Sequence, residues 1–140
     1  MIRAVVDANV IISSVIAPLG APRRIFDAWR QREFELVTSP GIIEEVARKL
    51  IHPKIRTRYH LSDEDTSSVI GLLRTQAVLT PGMARVAPGS RDPSDNKVIA
   101  TAVEADAAYV VSGDKDLLTL ERHGRIAIVT PAKFVDLLRR

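Results

Sequence analysis

The segment MIRAVVDANVII, residues 1–12, sets an aspartate between two apolar runs: Ala4, Val5 and Val6 lead into Asp7, and Val10, Ile11 and Ile12 follow. A carboxylate is rarely buried alone, because an isolated charge in an apolar site either costs several kcal/mol or takes up a proton. The run before Asp7 is apolar on both faces, as in a strand covered by helices on each side of a parallel sheet. Asp7 then stands at the carboxyl end of that strand, where ligand sites of open parallel sheets form. Its charge needs a partner from elsewhere in the chain.

Outward from this segment, apolar β-rich runs alternate with amphipathic ones. IRAVV (2–6) is followed by helical periodicity from about Val10 and again over Pro22–Gln31, then by FELVTS (34–39) and a helix over Gly41–Leu50. This is a βαβ signature. A polar connection leads to SDEDTSSVIGLLRT (62–75), where Ser62 can cap a helix with Asp65 three residues on, and then to AVLTP (77–81). After the loop APGSRDPSD (87–95) come a helix over Lys97–Ala105, AYVVSG (108–113), a short helix near Lys115–Leu120, IAIVTP (126–131) and a helix over Ala132–Leu138. Five strand candidates alternating with helices predict a three-layer α/β fold with a central, mainly parallel five-stranded sheet flanked by helices.

The 140 residues, 46% of them hydrophobic, suit one domain spanning 1–140. There is no internal repeat, and Pro81–Ser94 is too short to divide two domains; it reads as a loop near a site. The absence of cysteine excludes a disulfide framework and thiolate zinc sites. The opening lacks a long apolar leader and no run is long enough to span a membrane, so a soluble, cytoplasmic protein is expected. A formal charge of +3 leans toward an anionic partner such as nucleic acid.

The acids fall in a pattern. Asp114 follows AYVV as Asp7 follows AVV, with Asp116 two residues on, while Asp92 and Asp95 occupy the loop and helix edge that feed AYVV. Ser39 is placed to cap the helix after FELVTS, where Ile42, Ile43, Val46 and Leu50 form an apolar stripe; Glu45 borders it and Glu44 lies further toward solvent. Carboxylates gathered at one end of a sheet need a positive partner, and hard Mg²⁺ or Mn²⁺ with oxygen ligands supplies one. Such an ion also stabilises charge on a phosphoryl group, and with a basic surface this points to phosphodiester hydrolysis. Taken singly, Asp7, Asp95 or Asp114 reads more readily as a helix cap, but capping does not require all of them at one end of the sheet. Asn9 either caps the next helix or holds Asp7 or a water through its amide.

The motifs D-A-N-V (7–10), S-P-x-x-x-x-E-V (39–46), R-D-P-x-D-N-x-V-I-A (91–100) and V-V-S-G-D-K-D-L (110–117), in this order, resemble PIN-domain proteins, most closely VapC-like nucleases of bacterial toxin–antitoxin systems. The resemblance implies a Rossmann-like PIN fold, Mg²⁺- or Mn²⁺-dependent endoribonuclease activity on single-stranded or structured RNA, a cognate antitoxin partner and often a homodimer. By motif, Asp7, Glu45, Asp95 and Asp114 become an acidic quartet holding one or two ions, with Asp116 accessory, Asn9 and Ser112 supporting, and Asp92 belonging to the loop motif. The implied mechanism is in-line attack of water on the scissile phosphate, with an acid such as Asp95 helping to deprotonate that water.

Arg23, Arg24, Lys54, Arg56 and Arg58, with Tyr59, are candidates for contacting RNA phosphates and stacking a base, set against a plain solvated surface. His52, His60 and His123 lack metal-ligand spacing. Two rivals stand beside the nuclease. A haloacid-dehalogenase-like phosphatase also starts from an aspartate after the first strand, but needs a second one where Asn9 stands. A non-catalytic PIN-like module would bind RNA or protein without cutting.

Overall fold

The computed structural model describes residues 1–84 and 93–140. β1 (Arg3–Val6) leads through α1 (Ala8–Ile16) and α2 (Ala21–Arg30) to β2 (Glu35–Thr38), and α3 (Pro40–Leu50), α4 (Pro53–Arg56) and α5 (Asp63–Gln76) lead to β3 (Val78–Leu79). α6 (Pro93–Glu104) precedes β4 (Tyr109–Val111), followed by α7 (Lys115–Leu120), β5 (Arg122–His123), β6 (Ile126–Val129) and α8 (Pro131–Leu138).

The strands form one sheet in the order β3-β2-β1-β4-β6-β5, parallel throughout except for the β5–β6 pair. The expected five strands are therefore six. The extra one, β5, is two polar residues set opposite Ala127 and Ile126 across a tight turn at Gly124 (φ +59°). Held by backbone pairing at an edge, it leaves no hydrophobic period in the sequence.

Helix ends follow local chemistry. α1 begins at Ala8 rather than Val10, directly after the last strand bond, and α6 begins at Pro93 rather than Lys97, proline being well suited to a first helical position. The polar connection contains α4, with Pro53 at its start and His52 Nδ1 accepting the Lys54 amide at 3.2 Å. The Ser62–Asp65 capping box forms, with bonds of 3.0 and 2.8 Å. Among the described residues no helix is long and apolar enough to cross a membrane.

The strands are apolar on both faces because both are covered. Ala4, Val5, Val6, Val37, Val110 and Val111 are buried in the sheet, and Phe34 and Phe134 meet edge to face at 5.0 Å, fastening α8 to the core. From β1 the chain steps outward to β2 and β3, then crosses back to β4 and on to β6. Right-handed crossovers place these two sets of connections on opposite faces. The strand order reverses between β1 and β4, so the crevice at their carboxyl ends is the topological switch point.

Candidate functional site

Asp7 leaves β1 at this switch point. Its amide donates to the Val111 carbonyl at 3.0 Å, carrying the β1–β4 ladder one step past the strand, and the Ser112 amide does the same toward Val129 at 3.0 Å. The two side chains are thereby set next to each other. Ser112 Oγ donates to Asp7 Oδ2 at 2.8 Å in a buried bond and accepts the Asp114 amide at 3.0 Å. One hydroxyl thus fixes both the Asp7 carboxylate and the backbone that carries Asp114.

Capping separates the two aspartates. Asp114 Oδ1 accepts the Asp116 amide at 2.8 Å and so caps α7, while Asp7 makes no such bond to α1. Asp7 is only 8% exposed. Burial pushes its carboxyl above the usual aspartate value; the Ser112 hydrogen bond opposes this, and the negative charges of Glu45 and Asp114 add to it.

Glu45 is delivered from β2 by α3, whose Ile42, Ile43, Val46 and Leu50 pack inward. The helical wheel is obeyed, with Glu45 half-buried and Glu44 exposed. Lys97 Nζ of α6 donates to Glu45 Oε1 at 2.8 Å, and Lys49 Nζ donates to Oε2 at 3.0 Å and to Asn9 Oδ1 at 2.9 Å. Burial raises the Glu45 carboxyl, but the hydrogen bonds and charges of Lys97 and Lys49 outweigh it and hold the group below its ordinary value. Asn9 therefore neither caps α1 nor reaches Asp7; its amide oxygen is taken by Lys49. Ser39 sits at the cap position of α3 without a side-chain cap bond; its hydroxyl accepts from that of Thr101 at 3.0 Å.

Both lysines escaped the sequence reading. Lys49 carried a signal, standing four residues after Glu45 on the same helix face. Lys97 carried only its place two residues after Asp95, since its partner lies 52 positions away.

Asp95 stands on the first turn of α6 and Asp92 precedes that helix; the Asp95 side chain and Asp92 lie outside the described residues. Among the described residues no three acidic or histidine side chains form a ready-made metal cage. A groove of about 300 Å³ opens beside the site, lined by Asn9, Ser13, Pro22, Gly113 and Asp114 among others. A larger one, about 410 Å³, lies at the opposite end of the sheet, where Glu35 is its single carboxylate among the described residues. The basic candidates are turned to solvent or to local partners. Arg23 meets Asp27 at 3.3 Å, Arg56 meets Asp63 at 2.9 Å, Arg58 lies over the Tyr59 ring, and Arg24 and Lys54 are exposed.

Comparison with known proteins fits this architecture. The fold is similar to VapBC2 from Rickettsia felis, solved bound to a DNA fragment from their promoter, with a TM-score of 0.59 at 8% identity over 92% of this chain and 98% of that one. It is also similar to FitAcB from Neisseria gonorrhoeae, with a TM-score of 0.52 at 14% identity and the same coverage of 92% and 98%. At such identities the likeness is one of fold. Uncharacterized protein MJ1680 of Methanocaldococcus jannaschii is 30% identical over 148 aligned positions, covering 96% of this chain and 90% of that protein. The model of the PIN domain matches residues 3–116, a span running from β1 to the first turn of α7, and by that match the chain belongs to the PIN-domain family.

Proposed function

We propose that this chain is a Mg²⁺- or Mn²⁺-dependent endoribonuclease of the VapC-like toxin type, acting in the cytoplasm and restrained by a cognate antitoxin. The observation that carries the reading is Asp7: a buried carboxylate at the switch point, without a cation among the described residues, and pushed up by burial and by Glu45 and Asp114. PIN domains are generally nucleases, and the likeness to VapBC2 and FitAcB over 92% of the chain supports the toxin class.

The donor set fits a hard dication. Every candidate ligand of the quartet Asp7, Glu45, Asp95 and Asp114 is a carboxylate, and sulfur and imidazole are absent from it. When bound, Mg²⁺ or Mn²⁺ would stabilise negative charge on the scissile phosphoryl group and make water more acidic. The chain's own residues supply the rest. Asp7 and Asp114 are fixed relative to each other through Ser112, which spares the reorganisation that loose ligands would require. Asp116 and Asp92 are accessory, and Asp95, on the helix beside the cleft, is the candidate to accept a proton from the attacking water. RNA phosphates would be met by Arg23, Arg24, Lys54, Arg56 and Arg58.

Purified protein should cleave single-stranded RNA with Mg²⁺ or Mn²⁺ and lose that activity in EDTA or in Asp7→Asn. Cleavage that persists unchanged in Asp7→Asn would rule this chain out as its source. Hydrolysis of p-nitrophenyl phosphate instead of RNA would favour the phosphatase rival.

A further inference from the structure

Glu45 differs from Asp7 and Asp114 in already being paired with positive charge among the described residues. Each carboxylate oxygen holds an ammonium, Lys97 at 2.8 Å and Lys49 at 3.0 Å, so one negative charge faces two positive ones. A divalent cation approaching Glu45 competes with both ammoniums for its lone pairs, and its two charges would repel them. Two ammoniums and a dication on one carboxylate would leave a large excess of positive charge there.

Both lysines are more exposed than the acid they hold. Their side chains are 29% and 38% exposed, against 13% for Glu45, and each has a flexible four-carbon stem. The Lys97 stem crosses α3 at Gly41, where a Cβ would meet its Cδ at 3.5 Å, so it runs over bare helix backbone. Lys49 keeps a second acceptor in Asn9 Oδ1 at 2.9 Å. Lys49 thus has an acceptor to fall back on, and the anion that an RNA substrate would bring to the cleft is its phosphate.

We propose that Glu45 exchanges partners: Lys97 and Lys49 neutralise it in the free protein, and on cation binding they release it and hold the phosphate backbone of the bound RNA. The proposal rests on the metal-dependent ribonuclease reading and adds two substrate-positioning residues to it.

The exchange gives opposite signs to two affinities. Removing one ammonium removes a competitor for Glu45, so Lys97→Met and Lys49→Met should each bind Mn²⁺ several-fold more tightly than wild type in calorimetry. Both should bind a single-stranded RNA of mixed sequence several-fold more weakly in fluorescence anisotropy with Ca²⁺ replacing Mn²⁺, with a salt slope lower by about 0.7 for each lysine lost. Lys97→Arg, which keeps the charge, should preserve the wild-type slope. A merely structural brace would weaken metal and RNA binding together, and that result overturns the proposal, as does unchanged Mn²⁺ affinity in both methionine variants. Wild-type protein that takes up no Mn²⁺ overturns the metal reading and the exchange with it. The two variants lie on different helices, and melting in EDTA identifies any that fails to fold, leaving the other to decide.

Discussion

Asp7→Asn offers a test in which stability reports on the site before any substrate is added. Asp7 is 8% exposed, and its carboxyl is raised by burial, opposed by Ser112 and raised further by Glu45 and Asp114. An acid held above its unfolded value of 3.8 binds its proton more tightly in the folded state. Its contribution is most favourable below 3.8 and is lost as pH rises through the folded value, so at neutral pH the group subtracts from stability. An unsatisfied buried acceptor costs about 1–3 kcal/mol and a charged one more, and the Ser112 bond offsets part of this, leaving a net cost of about 1 kcal/mol. The amide of Asp7→Asn keeps an oxygen for Ser112 and removes the charge.

At roughly 2.1 cal/mol/K per residue, 140 residues unfold with about 0.3 kcal/mol/K, so the variant should melt about 3 °C higher than wild type in EDTA. Mn²⁺ at a hundred times its Kd adds about 2.7 kcal/mol, or about 9 °C, to the wild type alone. The order therefore inverts, with wild type about 6 °C above the variant in Mn²⁺. Circular dichroism melts in the two buffers read this directly. A variant that melts lower than wild type in EDTA would make Asp7 a stabilising structural acid, and an equal Mn²⁺ shift in both proteins would place the cation elsewhere. Either result refutes the reasoning.

Ser112→Ala removes the bond that lowers the Asp7 carboxyl, so protons should compete with the cation to higher pH, and the acidic limb of the cleavage profile should move upward; an unmoved limb would exclude Asp7 from it. Gly82→Ala puts a Cβ 2.8 Å from Ser39 Oγ and 3.1 Å from Thr101 Oγ1 at a φ of +72°. It should cost about 1–3 kcal/mol in urea unfolding, and a neutral result would mean that the Ser39–Thr101 contact yields freely. Arg56→Ala combined with Arg58→Ala should lower the salt slope of RNA binding by about 1.4 if both residues meet phosphates, and an unchanged slope would put the basic patch elsewhere.

What the sequence made legible was whatever depends on local pattern. The run before Asp7 could be read as a covered strand because three consecutive apolar residues have no polar face to offer, and Glu45 could be separated from Glu44 because one helical step decides which borders the stripe. β5 could not be read, since Arg122 and His123 become a strand only by pairing with Ala127 and Ile126. Ser39 shows the same limit: its position is that of a cap, yet Thr101, 62 positions away, takes the hydroxyl. The Lys49 partner of Asn9 and the Glu45 partner of Lys97 were hidden for the same reason, being chosen by the packing of α1, α3 and α6 on one another.

Asp7 and Glu45 are both acids drawn out of water at the same end of the sheet, and the fold treats them in opposite ways. Glu45 comes from a helix whose neighbouring turn and neighbouring helix each offer a lysine, so its charge is cancelled and its carboxyl is held low. Asp7 comes straight from the end of β1, which lies between β2 and β4, and among the described residues Ser112 is the side chain that bonds it, so no cation offsets it there and its carboxyl is held high. Cancelling both charges would leave an entering cation nothing to gain, whereas leaving both bare would subtract further from the small stability margin of a folded domain. One carboxylate kept uncompensated and one kept under movable ammoniums meets both demands. The buried acid without a cation among the described residues therefore stands at the point in the topology where a ligand can relieve it.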